Sequence, residues 1–334
     1  MAIKTQRIAI LTSGGDSPGM NAAIYGLVQQ ALLNNIQPYL VYEGYKGLVE
    51  DNIKLADQQE VIDHFFDSGT FIYSARLVEF KDLEVRKKAV SNLKAKKINT
   101  LVVIGGDGSY MGAKLLSELG INVISMPGTI DNDVSSSDYT IGFYSALEHI
   151  TRTIQEISST CVSHNRASIS EVMGRHCGDL AVYAALATRA DLVITPENIK
   201  STQEIVDLVA KRMLEDKKRT ITIIVCEHIY GEEGRDSLKQ IAKQINDQLN
   251  IKTNVNYLTY GQRGQVPTPL ERILAMKFAI KAFEQINKKE YNVVLGLDGD
   301  EIKAYSFDEA LSKKNPSRIK LINLINRING EFNE

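Results

Sequence analysis

The chain has 334 residues, a formal net charge of −2 and a pI near 6.3. That length is enough for two domains with cores of their own, and the balanced charge leaves no electrostatic footprint for nucleic acid or an anionic membrane; the Lys217-Lys218-Arg219 run reads as solvated surface. The three cysteines, Cys161, Cys177 and Cys226, are odd in number and lack metal-ligand spacing, which argues against a disulfide framework and a zinc site and fits a reducing cytoplasm.

The first apolar run, Ile8–Leu11, is too short for a signal segment or a membrane span and predicts a buried strand. After the turn-like Thr12-Ser13-Gly14-Gly15-Asp16, the residues Met20, Ala23, Ile24, Leu27, Val28, Ala31 and Leu32 follow helical spacing, which predicts a helix within Pro18–Asn35 with Pro18 in its first turn. Further strands are predicted at Leu101–Ile104, Val123–Met126, Leu192–Ile194, Ile221–Cys226 and Val293–Leu297. Phe143, Ala146, Leu147, Ile150, Ile154 and Ile157 form one helical stripe, and the last thirty or so residues hold Asp298-Gly299-Asp300, which reads as a hairpin turn, followed by a Lys/Asn-rich helical stretch that reads as structural. No linker, low-complexity tract or internal repeat interrupts this strand–helix alternation, so an α/β fold with a parallel sheet is expected.

Three glycine-laced acidic segments follow apolar runs and precede helices: Thr12–Asp16, Gly105-Gly106-Asp107-Gly108-Ser109 and Pro127-Gly128-Thr129-Ile130-Asp131-Asn132-Asp133. In open α/β sheets that is where ligands bind. Bare glycines let backbone amides approach phosphate oxygens, and helix amino ends add partial positive charge. Asp107 is a candidate Mg²⁺ ligand, because magnesium takes one or two carboxylates together with phosphates and water. Asp131 and Asp133, two residues apart, allow one carboxylate to accept a proton while the other orients it or the metal. Arg76, Arg166, Arg175 and Arg263 stand beside small residues or at the edges of apolar runs, as anion clamps do. His164, His176 and His228 lie near the same segments and are expected to give supporting hydrogen bonds.

These residues resemble bacterial ATP-dependent 6-phosphofructokinases. The likeness rests on Thr12–Ala22, Gly69-Thr70 with Ser74-Ala75-Arg76, Val102–Tyr110, Pro127–Asp133, Met173-Gly174-Arg175, Cys177-Gly178-Asp179 and Glu227-His228, and it runs from Ile8 to about Ala275. It implies two doubly wound α/β/α lobes with largely parallel sheets and the active site in the cleft between them. The lobes would be an ATP-binding one (1–141 plus about 267–308) and a sugar-phosphate-binding one (142–266 plus about 309–334). It implies transfer of the ATP γ-phosphate to the 1-hydroxyl of fructose 6-phosphate, with Mg²⁺, by a cytoplasmic homotetramer of glycolysis that touches neither nucleic acid nor membrane. By the same resemblance Asp131 is the base, with Asp133 and Thr129 beside it, and Asp107 the magnesium ligand. Gly15, Arg76, Leu77, Gly106, Gly108 and Ser109 belong with Asp107 to the ATP site. Arg175 stabilises the transferring phosphoryl group. Met173, Gly174, Glu227, Arg263 and, from a neighbouring subunit, Arg166 complete the sugar-phosphate site. Glycine at 108 and 128 favours ATP, since the pyrophosphate-dependent relatives carry a carboxylate and a lysine there.

The chain departs from the pattern at Asn254 and Tyr260, where an arginine and a histidine usually face the sugar 6-phosphate, and weaker sugar binding is expected unless Lys252 substitutes. Tyr25, Gln29, Gln58 and Ser158 replace the arginines of the effector pocket, which implies a weak or absent response to ADP and phosphoenolpyruvate. Alternatives are a kinase of another sugar phosphate, or a regulatory paralogue that joins a catalytic homologue.

Overall fold

A computed structural model describes residues 6–215, 217–232, 234–313 and 319–329. The strands, in chain order, are β1 (Arg7–Thr12), β2 (Gln37–Val41), β3 (Ile53–Leu55), β4 (Thr100–Gly105), β5 (Asn122–Thr129), β6 (Ile141–Gly142), β7 (Ala167–Val172), β8 (Leu192–Ile194), β9 (Ile221–Cys226), β10 (Thr253–Tyr257), β11 (Val293–Asp298) and β12 (Glu301–Ser306). The described residues divide into two compact units, one of 6–130, 134–145 and 263–313, the other of 131–133, 146–262 and 319–329. The chain changes unit at 145/146 and 262/263, and residues 131–133 group with the second unit although both their flanks belong to the first.

The first unit holds a sheet ordered β12-β11-β5-β4-β1-β2-β3, with β6 paired to the end of β5. All neighbours run parallel except β3 against β2 and β12 against β11. Alternation along each strand supplies two cores. Ile8, Ile10, Val102, Ile104, Ile124 and Met126 pack with helices Met20–Leu33 and Pro269–Lys288. Ala9, Leu11, Leu101, Val103 and Val123 pack with helices Leu83–Ala95 and Asp107–Ser117. Strands covered on both faces must be apolar throughout, which is why these runs stood out in the sequence. Each fully buried Ile or Leu contributes roughly 1.5–3 kcal/mol.

Helix Met20–Leu33 starts two residues after Pro18, which therefore lies outside the first turn; Gly19, left-handed at φ 92°, makes the entry instead. The hairpin expected at Asp298-Gly299-Asp300 is present, with Gly299 at φ 63° joining β11 to β12. The second unit has a fully parallel sheet, β10-β7-β9-β8. Helix Ile319–Ile328 packs on helix Asp179–Thr188 and β8. Asn329 Nδ2 follows it, donating to the carbonyls of Ala190 and Asp191 at 2.9 and 3.1 Å. Among the described residues no helix is long and apolar enough to cross a membrane.

Candidate functional site

In the first unit, β1 and β4 are hydrogen-bonded neighbours, so the loops leaving Thr12 and Gly105 emerge side by side. The Ser13 amide donates to the Ile104 carbonyl at 2.9 Å and ties them together. Gly105 tolerates nothing larger, since a Cβ would stand 2.4 Å from Ser109 Oγ and 2.6 Å from the Ser13 carbonyl oxygen. Gly14 sits at φ 91°, and its carbonyl accepts the Ser74 hydroxyl at 2.7 Å. Thr12 Oγ1 bonds Thr70 Oγ1 at 3.0 Å and donates to the Tyr73 carbonyl at 2.9 Å, which anchors the segment running on to Arg76, exposed, and Leu77, half-buried against the core.

Asp107 is the exposed first residue of helix Asp107–Ser117, with Gly106 in the capping position before it. Space above this helix end is open: a Cβ at Gly106 or Gly108 would meet no atom within 4 Å. Ser109 is buried, its carbonyl accepting the Tyr45 hydroxyl at 2.6 Å. Gly128 differs, because a Cβ there would lie 2.7 Å from Ile104 Cγ2 and 3.1 Å from Met20 Cε; it is closely packed core, not pocket wall. The Thr129 carbonyl accepts the Thr140 hydroxyl at 2.6 Å. Arg263, expected with the sugar-phosphate residues, belongs to the first unit, where its Nη1 donates to the Asp16 carbonyl at 3.0 Å beside Gly15. A guanidinium against a glycine turn is a ready partner for a phosphate.

The second unit gathers the other set. Asn132, left-handed at φ 52°, donates Nδ2 to the buried Asp179 carboxylate at 2.7 Å and so pins the middle of the Asp131-Asn132-Asp133 tripeptide to the start of helix Asp179–Thr188. Asp131 is 2% exposed. Arg175 Nη1 lies 3.6 Å from Asp133 Oδ2, with the arginine side chain 58% exposed. Such a pair contributes at most about 1 kcal/mol, so the guanidinium can leave it for a phosphoryl group at little cost. The loop that presents Arg175 follows β7 and is held from the neighbouring strand's end. Glu227 Oε1 accepts the amides of Gly174 and Arg175 at 3.1 and 2.9 Å, and Gln262 accepts that of Met173 at 3.0 Å. Gly174 is at φ 141°, with room for no Cβ: the Cys177 carbonyl would be 2.4 Å away. Burial, then the Glu227 charge, push the nearby Glu171 carboxyl up. His228 sits 3.3 Å from Glu232 and 3.9 Å from Glu227, while His164 bonds the Thr160 carbonyl.

Arg166 is not brought to this group. It immediately precedes β7, and Met173 immediately follows it, so the strand separates them by roughly 20 Å. Asn254, paired in register with Ser168, shares the Arg166 end, and Tyr260 is 79% exposed. Tyr25 packs edge-on against Phe65, and Gln58 Nε2 reaches Gln29 Oε1 at 3.5 Å, so these positions form a neutral patch. Sequence reasoning missed Ser74, Asp179, Gln262 and Glu271 as supports. Ser74 and Asp179 stood inside the motifs that carry the resemblance without a role of their own, and Glu271 left a Thr268-Pro269-Leu270-Glu271 helix start. Among the described residues no cluster of three His, Cys, Asp or Glu is arranged for a metal. An exposed carboxylate at an open helix end, as Asp107 is, suits Mg²⁺, which draws its other ligands from phosphate and water.

The phosphofructokinase family profile matches residues 7–286. The ATP-dependent 6-phosphofructokinase of Mycoplasma mobile is 46% identical over 97% of the chain and 99% of its own length, and that of Macrococcus caseolyticus is 40% identical over 97% and 99%. Phosphofructokinase from Saccharomyces cerevisiae superposes with a TM-score of 0.85 at 32% identity, covering 96% of this chain and 50% of the yeast chain. A pyrophosphate-dependent phosphofructokinase from Marinobacter aquaeolei shares the fold, with a TM-score of 0.83 at 18% identity over 96% and 91% of the two chains.

Proposed function

The chain belongs to the phosphofructokinase family, and on that premise we propose that it transfers the γ-phosphoryl group of ATP to the 1-hydroxyl of fructose 6-phosphate, the committing phosphorylation of glycolysis in the cytoplasm. The observation that carries the choice of donor is the open space over Gly106 and Gly108 beside the exposed Asp107. A nucleotide can lie there, and no carboxylate side chain at position 108 fills it. The alternatives, another sugar phosphate as acceptor or a non-catalytic role, are not favoured by relatives that share nearly the full length of this chain.

Asp107 would hold Mg²⁺. Bound there, the ion would offset charge on the phosphate oxygens. Amides of the Gly14-Gly15 turn and of the Asp107 helix end face phosphate oxygens. Leu77 and Arg76 border the nucleotide. Asp131 accepts the proton of the attacking hydroxyl, with Thr129 and Asp133 beside it. Arg175 leaves Asp133 and stabilises the charge spreading over the phosphoryl oxygens. Met173, Gly174, Glu227 and Arg263 hold the sugar phosphate, and Arg166 reaches it from a neighbouring copy in a homotetramer. The neutral Tyr25–Gln58 patch leaves activity insensitive to ADP and phosphoenolpyruvate.

The deciding experiment is ADP release coupled to fructose 6-phosphate, for the wild type and for Asp131→Asn. That variant keeps shape and deletes proton acceptance, so its rate should fall by about 10²–10⁴-fold with ATP affinity nearly unchanged. An Asp131→Asn enzyme with wild-type turnover would remove Asp131 from the mechanism.

A further inference from the structure

Glu271 is 0% exposed and belongs to none of the steps above. It occupies the first turn of helix Pro269–Lys288, whose cap Thr268 accepts the Glu271 amide at 3.1 Å. Its carboxylate reaches across to the amino end of helix Phe143–Ser163, where Oε2 accepts both the amide and the hydroxyl of Ser145 at 3.1 Å. Ser145 Oγ in turn accepts the Thr268 amide at 3.1 Å, which closes the junction. The loop leading from Gly14-Gly15 is pressed onto the same spot. A Cβ at Gly19 would stand 2.8 Å from Glu271 Cγ and 3.0 Å from Ile141 Cγ2, and one at Gly142 would stand 2.5 Å from Ser17 Cβ. Ser17 donates its hydroxyl to the Ile141 carbonyl at 2.9 Å. Two left-handed glycines, at φ 92° and 119°, thus leave no slack between the loop, β6 and the Glu271 side chain.

We infer that Glu271 is a positioning residue for the phosphate-facing Gly14–Gly19 loop, which it locks against the amino end of helix Phe143–Ser163, and that MgATP affinity follows its charge state. This rests on the reading of that loop as part of the ATP site. Charge-assisted bonds from an amide and a hydroxyl are shorter and stronger to the carboxylate than to the neutral acid, so the anion grips the junction more firmly. Burial pushes the group up to about 7, against the amides of Gly142, Ser145 and Tyr144 and the Ser145 hydroxyl, which favour the anion. The switch therefore falls in the neutral range. Among the described residues no cation pairs with it. The titratable group facing it from the opposing helix is the Tyr144 phenol, itself pushed far up by burial, and the adjacent Arg272 guanidinium is engaged over the Phe66 ring at 5.1 Å.

The test is calorimetric titration with MgATP between pH 6 and 8. For the wild type the dissociation constant should weaken several-fold as pH falls through about 7. Glu271→Gln should remove that part of the dependence and hold the weaker affinity throughout, while protonation of ATP itself is common to both proteins. Ser145→Ala, which keeps the amide and deletes one donor to the anion, should move the midpoint upward. A Glu271→Gln protein with the wild-type pH profile, or a Ser145→Ala protein with an unmoved midpoint, overturns the inference. Absence of MgATP binding at any pH overturns the ATP reading beneath it as well.

Discussion

A methyl group at Gly108 and one at Gly128 would meet opposite surroundings, open space in the first case and Ile104 with Met20 in the second. Gly108→Glu should therefore fold and melt like the wild type while raising the KM for ATP at least tenfold, because a carboxylate would stand in the nucleotide's space. Gly128→Ala should lower the melting temperature, since overpacking a filled core costs about 1–3 kcal/mol. The glycine pair at 108 and 128 is legible as a sequence pattern, but only the packing around each separates a pocket wall from a filled strand. Glu271 makes a second residue-scale prediction. Its folded value near 7 lies above the ordinary 4.5, so the folded protein holds a proton that the unfolded chain has released. Stability from this group is present below about pH 4.5 and is lost as pH rises through about 7, by roughly 3 kcal/mol at most. Melting curves of Glu271→Gln should be flatter across that interval and should exceed the wild type at pH 8; a lower melting point there would contradict the assignment.

At the scale of elements, parallel neighbours divide the work: β7 ends in the loop that carries Arg175, and β9 ends in Glu227, which accepts that loop's amides. Glu227→Ala should lower turnover and raise the KM for fructose 6-phosphate by ten- to a hundredfold, with MgATP affinity unchanged because the residues proposed for the nucleotide lie in the other unit; a change in MgATP affinity alone would refute this division. The strands buried on both faces were legible in the sequence as apolar runs. β7 was not, because Ser168 and Ser170 alternate with its apolar residues, although both are fully buried. β10, Thr-Asn-Val-Asn-Tyr, has the half-buried profile of an edge strand and gives no hydrophobic run. Pro18 misled for a local reason: Gly19 takes the left-handed turn, so the helix starts only after it.

For the molecule as a whole, the separation of Arg166 from Met173 by the length of β7 means that one copy of the second unit does not assemble both. If Arg166 serves a neighbouring copy, Arg166→Ala and Asp131→Asn should each be nearly inactive alone, yet hybrid oligomers of the two should recover a measurable fraction of wild-type activity; hybrids without recovery would rule out a shared site. The motifs announced which residues matter, but not that residues 131–133 group with one unit while both flanks group with the other, because such membership depends on contacts such as Asn132 with Asp179. Long-range pairing within the first unit also governs biosynthesis. Val123 accepts no partner strand on its β11 side until Asn292, 169 residues later, has left the ribosome, and its amide bonds that asparagine's side chain. At about 5–20 residues per second, the nascent β5 edge waits on the order of ten to thirty seconds with its backbone groups on that side unpaired, an interval in which wrong strand pairing competes with folding.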